Sequence, residues 1–189
     1  MDKVNSNKRV CAILIDFLII TVVSFLFSLV KININRGIFS LAIFVFYIFR
    51  DSYQGQGPGK MFVGLKVVDL NGGPASLAAS FKRNIILFWA SFIYTFIPAS
   101  AIEDVASPAF KASGIIVIAS LLVYIVEYFI ATRSKEGRRM GDIIGGTKVI
   151  DLNPEKAGST YAVIGFVAFV LLVALPYLSV VLTKGSGIK

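Results

Sequence analysis

Apolar residues in this chain fall in long, nearly unbroken runs. They show neither the strict alternation of a half-buried strand nor the narrow stripe of a soluble surface helix. Four runs, Val10–Val30, Ile85–Ile102, Gly114–Thr132 and Tyr161–Thr183, have the length of a membrane span. About 20 residues at roughly 1.5 Å each cross a hydrocarbon core about 30 Å thick. A fifth run, Gly37–Phe49, is shorter; it reaches span length if it starts at Ile32 with Arg36 snorkelling outward, or if it continues through Tyr53. Five such runs in 189 residues predict an all-α membrane protein with five transmembrane helices. Pro176 is expected to kink the last of them.

Composition agrees: 56% of residues are hydrophobic and only 16% are charged, too few to cover the surface of a soluble domain. The arm "MDKVNSNKR" leads into a 21-residue apolar run without a small-residue cleavage site, so the segment reads as retained. The charge is +8, and its distribution gives an orientation. The N-terminal arm and the segments 50–84 and 133–160 hold 14 of the 19 basic residues. The positive-inside bias therefore places the N-terminus in the cytoplasm and the C-terminus outside. The same basic loops would lie against anionic lipid head groups, which accounts for the high pI without a nucleic-acid partner. The 103–113 segment reads as a short outer connector.

The two basic loops resemble each other. Lys66-Val-Val-Asp-Leu-Asn71 recurs as Lys148-Val-Ile-Asp-Leu-Asn153, 82 residues later. Each copy follows a helix entering the cytoplasm and precedes one leaving it. That arrangement implies two parallel helix pairs related by an axis along the membrane normal, with one extra helix. The expected division is a membrane domain over 1–153, made of repeats 1–75 and 76–153, followed by an additional helix and tail over 154–189. Pro58 is suited to begin a short amphipathic helix through Leu65, and "RRMGDII" is its counterpart. The β-branched stretches that follow end in turn residues, "NGGP" and Asn153-Pro154, so two short strands are expected to form a small β-ribbon. Ser76 is placed to cap the next helix, which carries Lys82 and Arg83.

Two carboxylates lie within apolar runs. Asp16 is the one charge between Val10 and Val30, and Glu127 precedes Arg133 by six residues. A charge at mid-helix costs about 2.5–3.5 kcal/mol, so each must face protein or water and have a partner. Two readings follow. As a cation or proton site, Asp16 and Glu127 would act together, since neighbouring like charges raise one pKa and allow exchange. As a structural lock, Asp16 would meet Arg139 or Arg138, with Arg9, two turns away, as second choice. Asp142 follows Arg138 and Arg139 closely enough for local helix pairing. No histidine is present, and Cys11 is the single cysteine, which removes His-based catalysis, multi-cysteine metal sites and intrachain disulfides. "GQGPGKMFVG" lacks P-loop spacing. No cofactor, metal or enzymatic activity is expected.

Several motifs in order resemble those of the RDD family of small bacterial multi-pass membrane proteins. "KRVCAILID" carries that family's arginine and first aspartate, "GQGPGKMFVGLKVVDLNGGPASLAASFKRNI" is similar to its loop after the second span, and "RRMGDIIGGTKVI" to its closing motif. The resemblance covers residues 8 to about 151, which leaves the last span outside it. It implies that Arg9, Asp16 and Asp142 are the motif residues, and that the protein sits in the bacterial cytoplasmic membrane. It also implies a possible role in transport of a small ligand, cation/proton exchange being proposed for some members. The reading from another class is a non-catalytic membrane scaffold or adaptor whose cytoplasmic loops bind a partner protein or anionic lipid. A transporter this small would require a homo-oligomer.

The orientation makes a prediction. In a Cys11→Ser background, cysteines at positions 70 and 150 should resist an impermeant thiol reagent added outside cells and react once the cytoplasmic face is opened. Labelling from outside would reverse the assignment.

Overall fold

The computed structural model describes residues 4–30, 35–95, 107–155 and 158–185. The chain is mostly helical. In order it forms α1 (Ser6–Leu29), α2 (Arg36–Phe49), α3 (Pro58–Val63), β1 (Leu65–Asp69) and α4 (Leu77–Thr95). It continues as α5 (Pro108–Arg133), α6 (Met140–Gly145), β2 (Thr147–Asp151) and α7 (Gly158–Gly185). Among the described residues three helices are long and apolar enough to cross a membrane: Ser6–Leu29, Pro108–Arg133 and Gly158–Leu178. Gly37–Phe49 is apolar but shorter. The expected run Ile85–Ile102 begins inside α4, and its remainder lies outside the described residues.

Element boundaries follow local chemistry. A helix leaves its first N–H groups unpaired, and short polar side chains satisfy them. Asn5 caps α1 through the Asn7 N–H (2.8 Å), and Asn35 caps α2 through the Gly37 N–H (2.9 Å). Ser76 caps α4 through the Ala79 N–H (3.1 Å), as its position in the sequence suggests. Ser107 caps α5 through the Phe110 N–H (3.0 Å), and Pro108 opens the helix. Part of the expected outer connector is therefore helical. α2 starts at Arg36 and stops at Phe49, and does not run on to Tyr53. α7 passes through Pro176 without ending.

The short elements repeat each other's construction. α3 ends at Gly64 (φ 72°) and α6 at Gly146 (φ 63°), where only glycine adopts the left-handed turn without strain. β1 and β2 pair in a two-stranded sheet. The Leu152 N–H donates to the Gly64 carbonyl (2.8 Å) and Lys148 Nζ to the Leu70 carbonyl (3.0 Å), so the strands run antiparallel. After each strand the aspartate folds back on the chain: Asp69 accepts from the Asn71 N–H (2.9 Å) and Asp151 from the Asn153 N–H (3.0 Å). The shared "DLN" thus encodes the same turn twice.

By contacts the chain divides into two compact units. One contains α2, α4, α5 and α6, with α4 at its centre, packed on the other three. Its core includes Ile48, Leu87 and the stacked rings of Tyr47 and Phe88, 4.2 Å apart. The other contains α1, α3 and α7, with α1 packed on both. There Gly165 lets α7 approach α1 at Cys11 and Leu14. Each unit thus has a long helix packed on a short helix and on apolar neighbours, α7 in one and α2 and α5 in the other. The span-length helices bury few residues in the protein, and exposed Ile, Leu, Val and Phe cover the rest. A helix apolar on all sides is one solvated by lipid.

Candidate functional site

In the α1 unit, the buried carboxylate of Asp16 accepts the Gly59 N–H at 2.7 Å. Pro58 opens α3 and has no N–H, so Gly59 supplies the first main-chain donor of that helix. The fit requires glycine, because the Ala12 carbonyl stands where a Cβ would be. Nearby, the buried ammonium of Lys8 donates to both oxygens of Asp151 (2.8 and 2.7 Å) and to the Asn153 carbonyl (2.6 Å). It also lies over the Tyr161 ring at 5.0 Å. Arg9 follows it, half-buried.

In the α4 unit, α6 is held the same way. Glu127 Oε1 accepts the Gly141 N–H at 3.1 Å, and the Arg83 carbonyl occupies the place of a Cβ on Gly141. Glu127 Oε2 is buried without a hydrogen-bond partner among the described residues. The two arrangements align closely. Gly59 against Ala12 on α1 corresponds to Gly141 against Arg83 on α4. Four residues on, α1 carries Asp16, whereas α4 carries the buried Leu87. The acid has moved: in this unit it comes from α5, as Glu127, to the equivalent N–H.

Around Glu127 lies a buried network that sequence reading captured only in part. Arg83 pairs with Asp142 (Nη2 to Oδ1, 2.8 Å) and with Asp51 (Nε to Oδ2, 3.4 Å). Arg139 donates its main-chain N–H to Asp142 Oδ2 (3.2 Å) and Nη2 to Asn84 Oδ1 (3.0 Å). Asn84 reaches Asp51 Oδ2 and the Ile48 carbonyl, both at 3.2 Å, and Ser80 donates to the same carbonyl at 2.8 Å. Arg50 lies over the Tyr47 and Phe88 rings at 5.0 and 5.2 Å. Arg138 braces the segment through the Thr147 carbonyl (3.0 Å) and Glu136 (3.6 Å). Arg50, Arg83 and Arg139 thus balance Asp51, Asp142 and Glu127. Burial lowers the pKa of Arg83, and Asp142 and Asp51 act against that shift.

Glu127, Arg138, Arg139 and Asp142 come together in this unit, while Asp16 is held in the other. Arg138 and Arg139, the first choices for Asp16, have their described partners within the α4 unit, whereas Arg9 lies with Asp16 in the α1 unit. One donor to Asp16 is main chain, since the first N–H of a helix set against an apolar span needs an acceptor. Asp142 engages Arg139 locally (3.6 Å), and it also pairs at 2.8 Å with Arg83 on another element. Arg83, Asn84 and Asp51 were not singled out as site residues. Their signal was polar residues at span ends, "RD" after α2 and "KRN" at the start of the apolar part of α4. A half-open apolar cavity of about 370 Å³ lies between α1 and α7, lined by Ile20, Thr21, Ser24, Phe25, Leu175 and Pro176. Thr21 and Ser24 donate within α1 (3.0 and 2.8 Å), and Asp16 is not among the lining residues. Among the described residues no cluster of His, Cys, Asp or Glu could hold a metal ion.

Apolar helices whose few buried charges serve main-chain groups and one another define an α-helical membrane protein. Residues 5–146 match the RDD family model, most of the chain, and the protein belongs to the RDD family. No curated protein and no solved structure matches it significantly.

The network and the displaced acid make separate predictions for thermal unfolding in detergent. Arg83→Met leaves two buried carboxylates short of a partner and should destabilise by about 3–5 kcal/mol. Glu127→Leu leaves the Gly141 N–H without its acceptor, at about 1–3 kcal/mol. Adding Leu87→Asp to Glu127→Leu should recover part of that loss. If it deepens the loss instead, α1 and α4 are not equivalent.

Proposed function

We propose that the protein is a non-catalytic scaffold of the bacterial cytoplasmic membrane, with five spans, its N-terminus inside and its C-terminus outside. The observation that carries this reading is the role of the two intramembrane carboxylates. Asp16 and Glu127 each accept a main-chain N–H from the opening turn of a short helix. Each of these groups is thereby tied to the packing of a short helix on its neighbour, which is a structural role. The charge-balanced network of the α4 unit acts in the same sense, fixing the layer from which the basic segments 50–84 and 133–160 project. Exposed Lys82, Arg133 and Lys135 in these segments suit an anionic lipid surface or an acidic partner protein.

A second reading, transport of a cation or proton, is favoured by one observation, the buried Glu127 Oε2 without a hydrogen-bond partner among the described residues. Flux of Na⁺, K⁺ and H⁺ into liposomes holding the purified protein separates the two. The scaffold predicts flux equal to that of empty liposomes, and an Asp16→Asn variant that loses thermal stability alone. Flux above background that Glu127→Gln abolishes in a folded protein would replace the scaffold with the transporter.

A further inference from the structure

The two short helices present matching apolar faces outward. On α3, Met61 is 58% and Phe62 63% exposed; on α6, Ile143 is 53% and Ile144 52% exposed. The pairs lie 82 residues apart, the spacing of the repeated strands. The opposite faces are occupied: Gly59, Lys60 and Val63 of α3 are buried, as are Gly141 and Asp142 of α6.

Their depth decides what covers the exposed faces. α3 is fastened to α1 at Ala12 and Asp16. The apolar run of α1 begins at Val10, so these attachment points lie about 3 and 9 Å inside it at 1.5 Å per residue. α6 is fastened to Glu127, six residues before the last residue of α5, again about 9 Å from the helix end. Neither short helix therefore rides above the membrane on its loop. Each is held at points about 3 to 9 Å inside the end of its span, with its polar side turned to protein. An exposed side carrying phenylalanine, methionine and isoleucine at that depth meets acyl chains.

We infer that residues 58–63 and 140–145 are sunk into the cytoplasmic leaflet, with Met61, Phe62, Ile143 and Ile144 embedded in the acyl-chain region of the lipid. The occupant of these faces is the bilayer itself. The pairs act as two interfacial anchors that fix the depth of the strands and of the basic segments beside them. The inference uses only the span-length helices α1 and α5 and is independent of the scaffold reading, except that this reading names the leaflet.

The test uses the full chain in membranes. In a Cys11→Ser background, single cysteines at 61, 62, 143 and 144 are compared with controls at 71 and 135 for reaction with an impermeant maleimide, in vesicles of both orientations. The controls report which face is cytoplasmic, so a reversed orientation shows there and leaves the comparison intact. Reaction at the four positions should be far slower than at both controls, because a charged reagent does not enter the acyl-chain region. In a Trp89→Phe background, Phe62→Trp and Ile144→Trp should be quenched in vesicles of acyl-brominated phosphatidylcholine relative to the unbrominated lipid. Control-like reaction rates would place the helices in water and overturn the proposal. Protection without quenching would mean that protein, such as a second copy of this chain, covers these faces, and would overturn it equally.

Discussion

The packing of both short helices depends on where their first main-chain N–H groups find acceptors. A helix that short has little stability of its own, and its opening turn has donors with no partner in the helix. Set against apolar spans, such donors are costly to leave bare. Asp16 and Glu127 supply the acceptors at Gly59 and Gly141, and glycine at both positions lets the short helix lie on its neighbour's backbone. A carboxylate that would be expensive in lipid and an N–H that would be expensive in lipid thus remove each other's cost.

The same demand explains why the charges of the α4 unit come as a balanced set. Arg83 is fully enclosed, and a lone guanidinium there would be strongly disfavoured. Asp51 and Asp142 flank it, Asn84 bridges Asp51 to Arg139, and Arg50 rests on two aromatic faces. These contacts join α2, α4 and α6. In the α1 unit the described contacts include Lys8 with Asp151 and Asp16 with the Gly59 N–H.

Much of this could be read from the chain. The spans announce themselves because lipid demands long apolar runs, and three of the expected helices have the length and composition to cross a membrane. Ser76 as a cap, Pro58 as a helix start and "DLN" as a turn are local effects, decided by residues a few positions apart. The paired strands follow from the repeat of "KVVDLN" as "KVIDLN", since two copies of one edge segment can satisfy each other. The bounds of α2 and the helical start at Pro108 were less legible, because apolar composition continues past the points where capping ends a helix.

The sequence by itself determined that Asp16 and Glu127 must be buried and partnered, because a mid-span carboxylate has no cheap alternative. Only the tertiary structure decided with what. Among the described donors are main-chain groups 43 and 14 residues away, and a main-chain N–H has no sequence signature. Lys8 and Asp151, 143 residues apart, and Arg83 with Asp51 and Asp142 are likewise products of packing. Helix packing also placed Leu87 where the α1 pattern would have an acid, and brought Glu127 from another helix to serve the same N–H. A single chain shows which residues need a partner; the distances that choose between partners exist only once the helices have packed.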